Sequence, residues 1–461
     1  MLPEKLLVSL EGIKGFDKEA FVNIHSSGEQ ITSIRINPFK SSVVSRESSA
    51  EKVIHDSRFT THEKIPWCDN GYYLQQRPSF TFDPLFHAGC YYVQEASSMF
   101  LEQALKQIID LSRPLKILDL SAAPGGKSTH IQSLISKESL LVSNEVIRSR
   151  ANVLKDNIIK WGCNNVVVTN NDPKDFARLE NYFDVIVVDA PCSGSGLFRR
   201  DEEAIGEWSE NNVQLCSQRQ QRILIDIWPA LKKNGVLIYS TCSYSKEEDE
   251  DIVKWMSDEL IINNEELIIG NDWGITQTDY GYRFWPDKVK GEGFFITCLK
   301  KMDGEDEFYF KTKNKIEIAS QKEKVIIQSW VKTGEIEFVK HENTVYAWPV
   351  DLVSEFNLLL GSLKVIYSGI LVGELMRDKL IPGHALAVSG MVNEGIPKVE
   401  LNYEQAIQYL QKKDLKIETA DKGWQLVTYK DHPLGWINVL PNRINNYYPK
   451  ELRVLKEAPI P

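Results

Sequence analysis

The sequence lacks the features that mark membrane, secreted and zinc-binding proteins. No apolar run approaches the roughly 20 residues that a membrane-spanning helix requires. Its first residues, Met1 to Lys5, lack the basic and apolar segments of a signal peptide. The seven cysteines form no Cys-x-x-Cys pair, which argues against a disulfide framework and against a metal site. We therefore expect a cytoplasmic protein with reduced thiols, no membrane association and no bound metal.

An excess of basic residues is also missing. Lys and Arg number 54 against 64 for Asp and Glu, so the net charge is -10. This argues mildly against broad nonspecific binding to nucleic acid, although a local basic face remains compatible because only charge near the phosphates counts. With 42% hydrophobic and 26% charged residues in 461, the composition is typical of a globular protein. A chain of this length predicts about two to four domains.

Apolar strands alternate with amphipathic helices from Lys116 onward. Strands are predicted at 117–120, 140–145, 165–172, 183–189, 236–243 and 293–299. Helices are predicted at 148–161, closed by Gly162, and at 218–233, closed by Asn234 and Gly235. The run 183–189 is short, β-branched and unbroken, as in a parallel strand buried on both faces. This alternation predicts an α/β fold with a doubly wound, Rossmann-like sheet.

The N-terminal part has a different pattern. Two short helices are predicted at 7–10 and 16–24, a strand at 30–37 and a Ser-rich loop at 41–51. Together they indicate a small α+β domain over residues 1–105.

A polar linker near residue 301 is expected to separate the α/β domain from two C-terminal domains. The α/β domain should span 106–302 and a connecting domain 303–380. Residues 381–461 should form a compact β-rich domain with an aromatic and basic surface.

An acid and two cysteines follow neighbouring strands of the predicted sheet. Pro191 ends the strand 183–189, so Asp189 and Cys192 lie at its carboxyl end. Cys242 ends the next strand, which we expect to be adjacent. Ligands of open α/β sheets bind at this edge. Two buried structural cysteines are the alternative, because free Cys behaves as a small apolar residue.

The turn after the first strand suggests a nucleoside ligand. Residues 121–127 match neither Gly-x-Gly-x-x-Gly nor the Walker spacing, so the evidence for phosphate binding is weak. Glu145 ends the second strand and could accept hydrogen bonds from ribose hydroxyls. Asp172 ends the third strand and could accept from an adenine amino group. Acids on consecutive strand ends therefore favour a nucleoside without a phosphate chain.

Two thiols and a carboxylate at one edge fit the chemistry of cytosine. Carbon C5 of cytosine is a poor nucleophile until a thiolate adds at C6. A hydrogen bond at N3, from Asp189, would stabilise that adduct. The C5 proton must then leave and the thiol be eliminated. Cys192, Cys242 and Asp189 match these requirements.

Several motifs resemble the RNA 5-methylcytosine methyltransferases of the NSUN/Sun family, and within it the bacterial RsmF type that acts on small-subunit ribosomal RNA. The most specific stretches are 118–127, 189–196 and 240–243. Similar stretches occur at 66–68, 92–99, 291–295, 434–436 and 445–450. The resemblance implies S-adenosylmethionine as cofactor, an N-terminal RNA-binding domain at 1–105 and a PUA-like RNA-binding domain at 381–461.

The resemblance also implies roles for individual residues. Cys242 corresponds to the nucleophile and Cys192 to the cysteine that helps release the product, with Asp189 and Lys127 as further catalytic residues. The implied cofactor-binding residues are Ser121, Ala122, Ala123, Pro124, Gly125, Gly126, Lys127, Glu145, Arg150, Asp172 and Asp189.

Basic residues near the predicted cleft are candidates for RNA contacts, because Lys and Arg track phosphates. They are Arg199, Arg200, Arg219, Arg283 and Lys288. Solvated helix faces are the alternative for any single one.

Three functions remain open from the sequence. The first is C5 methylation of a cytosine in small-subunit ribosomal RNA through a covalent Cys–C6 adduct. The second is the same chemistry on transfer RNA. The third is a non-catalytic RNA-binding protein of ribosome assembly. We expect a monomer without an obligate protein partner.

Overall fold

A computed structural model describes residues 2–40, 62–304, 316–332, 334–417 and 421–457. The predicted Ser-rich loop at 41–51 lies outside the described residues. Within them, no helix combines the length and the apolar character that crossing a membrane would take. The predicted domain boundaries stay predictions.

A ten-stranded mixed sheet forms the centre of the molecule. Its parallel strands are β5 (Lys116–Asp119), β6 (Leu140–Asn144), β7 (Val166–Thr169), β8 (Phe183–Asp189) and β9 (Leu231–Thr241). They are ordered β9-β8-β5-β6-β7. The chain adds β6 and β7 on one side of β5 and then β8 and β9 on the other side, so the strand order reverses between β5 and β8. The predicted doubly wound α/β fold is therefore confirmed, and β8 and β9 are neighbours as expected.

Antiparallel strands extend this sheet at both edges. On the β9 side these are β10 (Ile262–Asn264), β11 (Thr276–Gln277), β12 (Tyr282–Phe284) and β13 (Phe294–Lys301). On the other side β17 (Val365–Ser368) pairs with β7. The sequence pattern does not predict this pairing of β17 with the central sheet.

The helices of this region pack on both faces of the sheet. They are α4 (Leu101–Ile108), α5 (Gly126–Gln132), α6 (Arg148–Trp161), α7 (Glu202–Glu207), α8 (Glu210–Ile227) and α9 (Glu250–Glu259). Helix α6 ends at Gly162 with φ of +94°, as predicted. The prediction for α8 was wrong at both ends. Its start is capped by Ser209, and Pro229 prevents its continuation, so residues 231–241 form one strand through Asn234 and Gly235.

The N-terminal region contains helices α1 (Glu4–Ser9), α2 (Lys18–Ser26) and α3 (Pro84–His87). Its sheet has the order β2-β3-β1-β4, formed by β1 (Thr32–Ile36), β2 (His62–Lys64), β3 (Gly71–Leu74) and β4 (Tyr91–Val93). Both predicted helices and the predicted strand are present, with shifted ends.

Two further sheets lie in the C-terminal part. One has the order β14-β15-β16-β18-β19, from β14 (Glu317–Ile318), β15 (Ile336–His341), β16 (Thr344–Pro349), β18 (Ile370–Met376) and β19 (Lys379–Pro382). The other consists of β20 (Lys398–Glu400), β21 (Gly423–Tyr429), β22 (His432–Leu440) and β23 (Arg443–Asn446). The helices here are α10 (Gln321–Gln328), α11 (Val353–Ser362), α12 (His384–Val388) and α13 (Tyr403–Leu410).

The two ends of the chain share one hydrophobic core. Ile34 and Tyr91 of the N-terminal sheet pack in the same cluster as Tyr409 and Ile437 of the C-terminal part, all fully buried. The N-terminal sheet is thereby fixed, and residues 92–95, which include the end of β4, line the cavity at the carboxyl edge of the central sheet. This arrangement closes a cavity over the strand ends of β5, β8 and β9.

Candidate active site

A cavity of about 310 Å³ lies at the carboxyl edge of the central sheet. Its walls come from the turn after β5, residues 92–95, residues 292–294 and the two strand-end residues Asp189 and Cys242. The sequence-predicted residues Ser121, Ala122, Ala123, Pro124, Gly126 and Lys127 all line it. The turn after β5 therefore shares one space with Asp189 and Cys242, whereas Cys192, Glu145 and Asp172 are not among the lining residues.

The turn between β5 and α5 is held from below. Gly125 adopts φ of +118°, which an L side chain rarely adopts, and it precedes the first turn of α5. Arg150 donates to the carbonyl of Ala123 at 2.9 Å, and Asn157 donates to the carbonyl of Pro124 at 2.8 Å. Helix α6 thus fixes the loop that lines the cavity.

Asp119 lies fully buried at the end of β5, beneath this turn. Ser128 donates to its Oδ2 at 2.6 Å, while its Oδ1 has no hydrogen-bond partner among the described residues. Burial raises the pKa of Asp119 to about 7, although the Ser128 hydrogen bond opposes the shift. A buried acceptor is therefore left unfilled beside the cavity.

Lys127 and Asp189 form an ion pair on the cavity wall. Lys127 Nζ lies 2.7 Å from Asp189 Oδ2, and Ser240 donates to Oδ1 at 2.9 Å. The Lys127 side chain is 11% exposed, whereas that of Asp189 is 36% exposed. A carboxylate and an ammonium group are thus presented side by side to any molecule in the cavity.

The sulfur atoms of Cys192 and Cys242 lie 3.0 Å apart, and both thiols are free. The hydrogen bond to Cys242, together with burial, raises the pKa of Cys192 well above its usual value. The two sulfurs are therefore close enough to share a proton. Cys242 lines the cavity, so its sulfur is the one available as a nucleophile.

Glu248 connects the two cysteine loops and was not identified from the sequence. Its carboxylate accepts from the backbone N–H of Ser193 at 2.8 Å and from the hydroxyls of Ser193 and Ser243, each at 2.6 Å. It is one of several acids in 247–251, and spacing alone does not indicate which of them turns inward. The sequence feature that could have indicated it is the serine that directly follows each cysteine, because both serines donate to Glu248.

Glu145 and Arg150 lie at the end of β6 and the start of α6. Glu145 is 2% exposed, accepts from the Ile147 N–H at 2.9 Å and lies 3.4 Å from Arg150. Val146 and Ile147 beside it are about half exposed, at 55% and 49%. Asp172 caps the short helix that follows β7 by accepting from Lys174 N–H. A polar edge next to an exposed apolar surface suits a nucleoside.

Two of the five residues predicted to contact RNA have enclosed side chains, and their contact with RNA stays a prediction. The side chain of Arg283 is 2% exposed because it pairs with Asp249 and Glu250, donating from Nε to Glu250 at 2.6 Å. The side chain of Arg199 is also 2% exposed, and it donates to the carbonyls of Gly291 and Glu29.

The other three predicted RNA contacts lie at the surface. Arg200 is exposed and lines the cavity, and Arg219 is exposed on α8. Lys288 is exposed and donates to the carbonyl of Gly15.

A second cluster of chemistry-bearing residues lies outside the cavity. Glu102 Oε2 accepts from Cys68 at 3.1 Å and from His130 at 2.9 Å. Its Oε1 accepts from Lys106 at 2.6 Å and from Asp69 N–H at 3.0 Å. Cys68, Glu102 and His130 are ligand types that bind metals. Hydrogen bonds already fill both oxygens of Glu102, however, and the expectation of no metal stays a prediction.

The chain is similar to characterised families along most of its length. It is 30% identical over 449 residues to the ribosomal RNA small subunit methyltransferase F of Psychromonas ingrahamii, which spans 91% of this chain and 90% of that protein. The chain belongs to the ribosomal RNA small subunit methyltransferase F family. The corresponding protein of Shewanella piezotolerans is 29% identical, with 85% of each chain covered.

Three domain families match successive parts of this chain. The N-terminal domain of 16S rRNA methyltransferase RsmF matches residues 2–96, 16S rRNA methyltransferase RsmB/F matches 107–300, and the methyltransferase RsmF PUA domain matches 396–454. A methyltransferase homolog from Pyrococcus horikoshii has the same fold, with 28% identity and a TM-score of 0.52, covering 65% of this chain and 100% of that one. The predicted family and fold class are confirmed.

Proposed function

We propose that this chain is an S-adenosylmethionine-dependent methyltransferase that methylates C5 of a cytosine in small-subunit ribosomal RNA. One observation carries the proposal. Cys242 opens into a cavity beside the Lys127–Asp189 pair, with a second free thiol, Cys192, 3.0 Å from its sulfur. Addition of a thiolate to a pyrimidine requires a nucleophile and charge stabilisation, and product release requires control of the leaving sulfur.

The residues at the cavity fit the cofactor. Asp119 Oδ1 is a buried acceptor without a partner among the described residues, and Val146 and Ile147 expose apolar surface beside Glu145. Glu145 would hold the ribose hydroxyls and Asp172 the adenine amino group. The turn 121–127, which Arg150 supports, would contact the amino-acid end of the cofactor. S-adenosylmethionine would supply the methyl group.

Attack begins at the sulfur of Cys242. In this proposal the proton shared by the two sulfurs stays on Cys192, and Cys242, which lines the cavity, attacks as the thiolate. It forms the Sγ–C6 bond while the C5=C6 electron pair moves to C5. Negative charge then develops toward N3 of the ring. Lys127 can donate to that edge and Asp189 can orient it, since both lie on the cavity wall. Carbon C5 thereby becomes the nucleophile for the methyl group.

Release of the methylated cytosine requires the bond between C6 and the Cys242 sulfur to break. The C5 proton leaves to water, its electron pair restores the C5=C6 bond, and the Sγ–C6 bond breaks to return the thiolate. A thiol leaves faster when its sulfur is less basic. The S–H of Cys192 lowers the basicity of the Cys242 sulfur by donating to it, so Cys192 favours release over retention of the adduct.

The ribosomal substrate is supported by the names of relatives that share both flanking domains. Bisulfite sequencing of total RNA from cells with and without this gene tests it. We expect one or more cytosines of small-subunit RNA to lose protection in the deletion strain, and Cys242→Ala to leave them unprotected. Lost protection at a transfer RNA site instead would favour that substrate. No change in either RNA would favour a non-catalytic RNA-binding protein.

A further inference from the structure

The carboxylate of Glu248 bridges the residues that follow the two cysteines. Its Oε1 accepts from the Ser193 N–H, and its Oε2 accepts from the hydroxyls of both Ser193 and Ser243. Gln220 lies 3.4 Å from Oε1 and also donates to the carbonyl of Pro191 at 3.1 Å. Glu248 is fully buried, so water cannot replace these contacts. One side chain therefore sets the spacing between the two loops.

The two loops depend on Glu248 to different degrees. Cys242 directly follows β9, which pairs with β8 on one side and with β13 on the other up to Thr241. Its own carbonyl accepts from Gly196 N–H at 2.9 Å. Cys192 lies three residues beyond the end of β8, and the bonds to Ser193 hold the residue next to it. Loss of the carboxylate should displace Cys192 more than Cys242.

We propose that Glu248 is a positioning residue for product release, which holds Cys192 against the sulfur of Cys242 through Ser193 and Ser243. The inference rests on the proposed covalent function. Without Glu248, Cys242 still adds to C6, but its sulfur loses the S–H donor that makes it a good leaving group. The C5 proton can still leave to water, yet the Sγ–C6 bond breaks slowly. RNA then stays covalently attached to the protein.

Glu248→Gln is the sharpest test because it keeps the volume of the side chain. An amide presents one acceptor oxygen and an NH2 group, so it cannot accept the three hydrogen bonds from Ser193 and Ser243 on both ends. Glu247→Gln is a matched control, since it makes the same change one residue earlier, at a side chain that makes none of these contacts.

The experiment incubates each full-length variant with labelled small-subunit RNA and S-adenosylmethionine, and resolves the products on a denaturing gel. We expect turnover of Glu248→Gln to fall roughly 10- to 100-fold, as for a displaced catalytic group. We also expect a covalent RNA–protein band to accumulate, both for Glu248→Gln and for Cys192→Ala. The double variant Cys242→Ala with Glu248→Gln should show no band. Glu247→Gln should resemble wild type.

Slow turnover of Glu248→Gln without the covalent band would overturn the inference, because a merely structural defect lowers activity without trapping an adduct. If Glu248→Gln does not fold, Ser193→Ala decides instead. It removes one of the three hydrogen bonds and should give the band in smaller amount, whereas its absence would reject the inference. If Cys192→Ala itself traps nothing, the covalent function fails. If Cys192→Ala traps RNA and both other variants do not, only the role of Glu248 fails.

Discussion

Two clusters of the molecule each contain a buried carboxylate, and the two carboxylates differ in how many hydrogen bonds they accept. In the cluster of Cys68, Glu102 and His130, both oxygens of Glu102 accept two hydrogen bonds each. In the reaction cavity, Asp119 accepts one from Ser128 and leaves Oδ1 without a partner among the described residues. Asp119 Oδ1 is one of several buried side-chain atoms without a partner among the described residues, His130 Nδ1 included, so the contrast concerns the two carboxylates alone.

The same difference appears in the acid strengths of the two carboxyl groups. Burial would raise the pKa of Glu102, but hydrogen bonds from His130, Lys106 and Asp69 outweigh it and hold that pKa well below its usual range. Burial raises the pKa of Asp119 to about 7. Hydrogen bonds that fill both oxygens of Glu102 stabilise the folded state. The unfilled oxygen of Asp119 can instead accept a hydrogen bond from a ligand.

The thiols differ in access rather than in burial alone. Cys68 donates to Glu102, and burial raises its pKa well above the usual value, which leaves an inert thiol. Cys242 lines the cavity and shares a hydrogen bond with the sulfur of Cys192. We therefore expect Cys242 to be the more reactive of these two thiols, because the cavity reaches it.

The largest expected effect is that of Cys242→Ala. Methyl transfer should fall by about 1,000-fold or more, because the variant has no atom that can add to C6. The folded state should be little changed. Cys68→Ala is the control from the other cluster, and its methyl transfer should stay near that of wild type. Equal losses in both variants, measured with tritiated cofactor, would remove the distinction between the two thiols.

Removal of the ammonium group should have the next largest effect. Lys127→Ala should lower kcat by roughly 100-fold, because negative charge develops on the base and one donor that stabilises it is missing. Steady-state methyl transfer at saturating RNA measures this. Lys106→Ala offers the comparison, as Lys106 pairs with Glu102 in the saturated cluster. A loss of kcat in Lys106→Ala as large as that in Lys127→Ala would contradict the separation of binding and folding roles.

A change in the cluster of Cys68, Glu102 and His130 should lower the free energy of unfolding. Glu102→Gln should lower the free energy of unfolding by about 2–3 kcal/mol, because a buried, charged acceptor of four hydrogen bonds is replaced by a neutral amide. Urea denaturation measures the change. Asp69→Asn is the control, since Asp69 also pairs with Lys106 but is 70% exposed, and it should cost about 0.5 kcal/mol or less. Comparable losses would show that burial of Glu102 is unimportant.

The last expected effect is at Asp119, on how the free energy of unfolding depends on pH. Its pKa is raised from 3.8 to about 7 on folding, so the folded state binds this proton more tightly than the unfolded state does. The resulting stability is complete below pH 3.8 and is lost as pH rises toward 7. Asp119→Asn should remove that slope in the ligand-free protein. Urea midpoints at several pH values test this, and parallel curves for wild type and variant would refute it.

The strand-end part of the site could be predicted because it follows from local patterns. Unbroken apolar strands that end in Asp189 and near Glu145 must meet at one edge of a parallel sheet. Cys192 and Cys242 come together for the same reason, because β8 and β9 are neighbours. The exact geometry, with sulfurs 3.0 Å apart, required the structure.

Other features depend on contacts between distant parts of the chain. Arg283 is charged and was predicted to contact RNA, yet its side chain is buried. It pairs with Glu250, the first residue of α9, and with Asp249, the residue before it. Glu248 turns inward only because the loop of Ser193 provides donors 55 residues away. Strand β17 joins the central sheet across 196 residues from Thr169 to Val365, which no local periodicity encodes.

The most direct test of the central claim is to identify the cysteine that carries RNA in Cys192→Ala. The trapped complex would be digested with protease and ribonuclease, and the modified peptide would be sequenced by mass spectrometry. The account predicts a methylated cytidine attached to the peptide that contains Cys242. A nucleotide on any other cysteine, or no covalent complex from a folded variant, would contradict it.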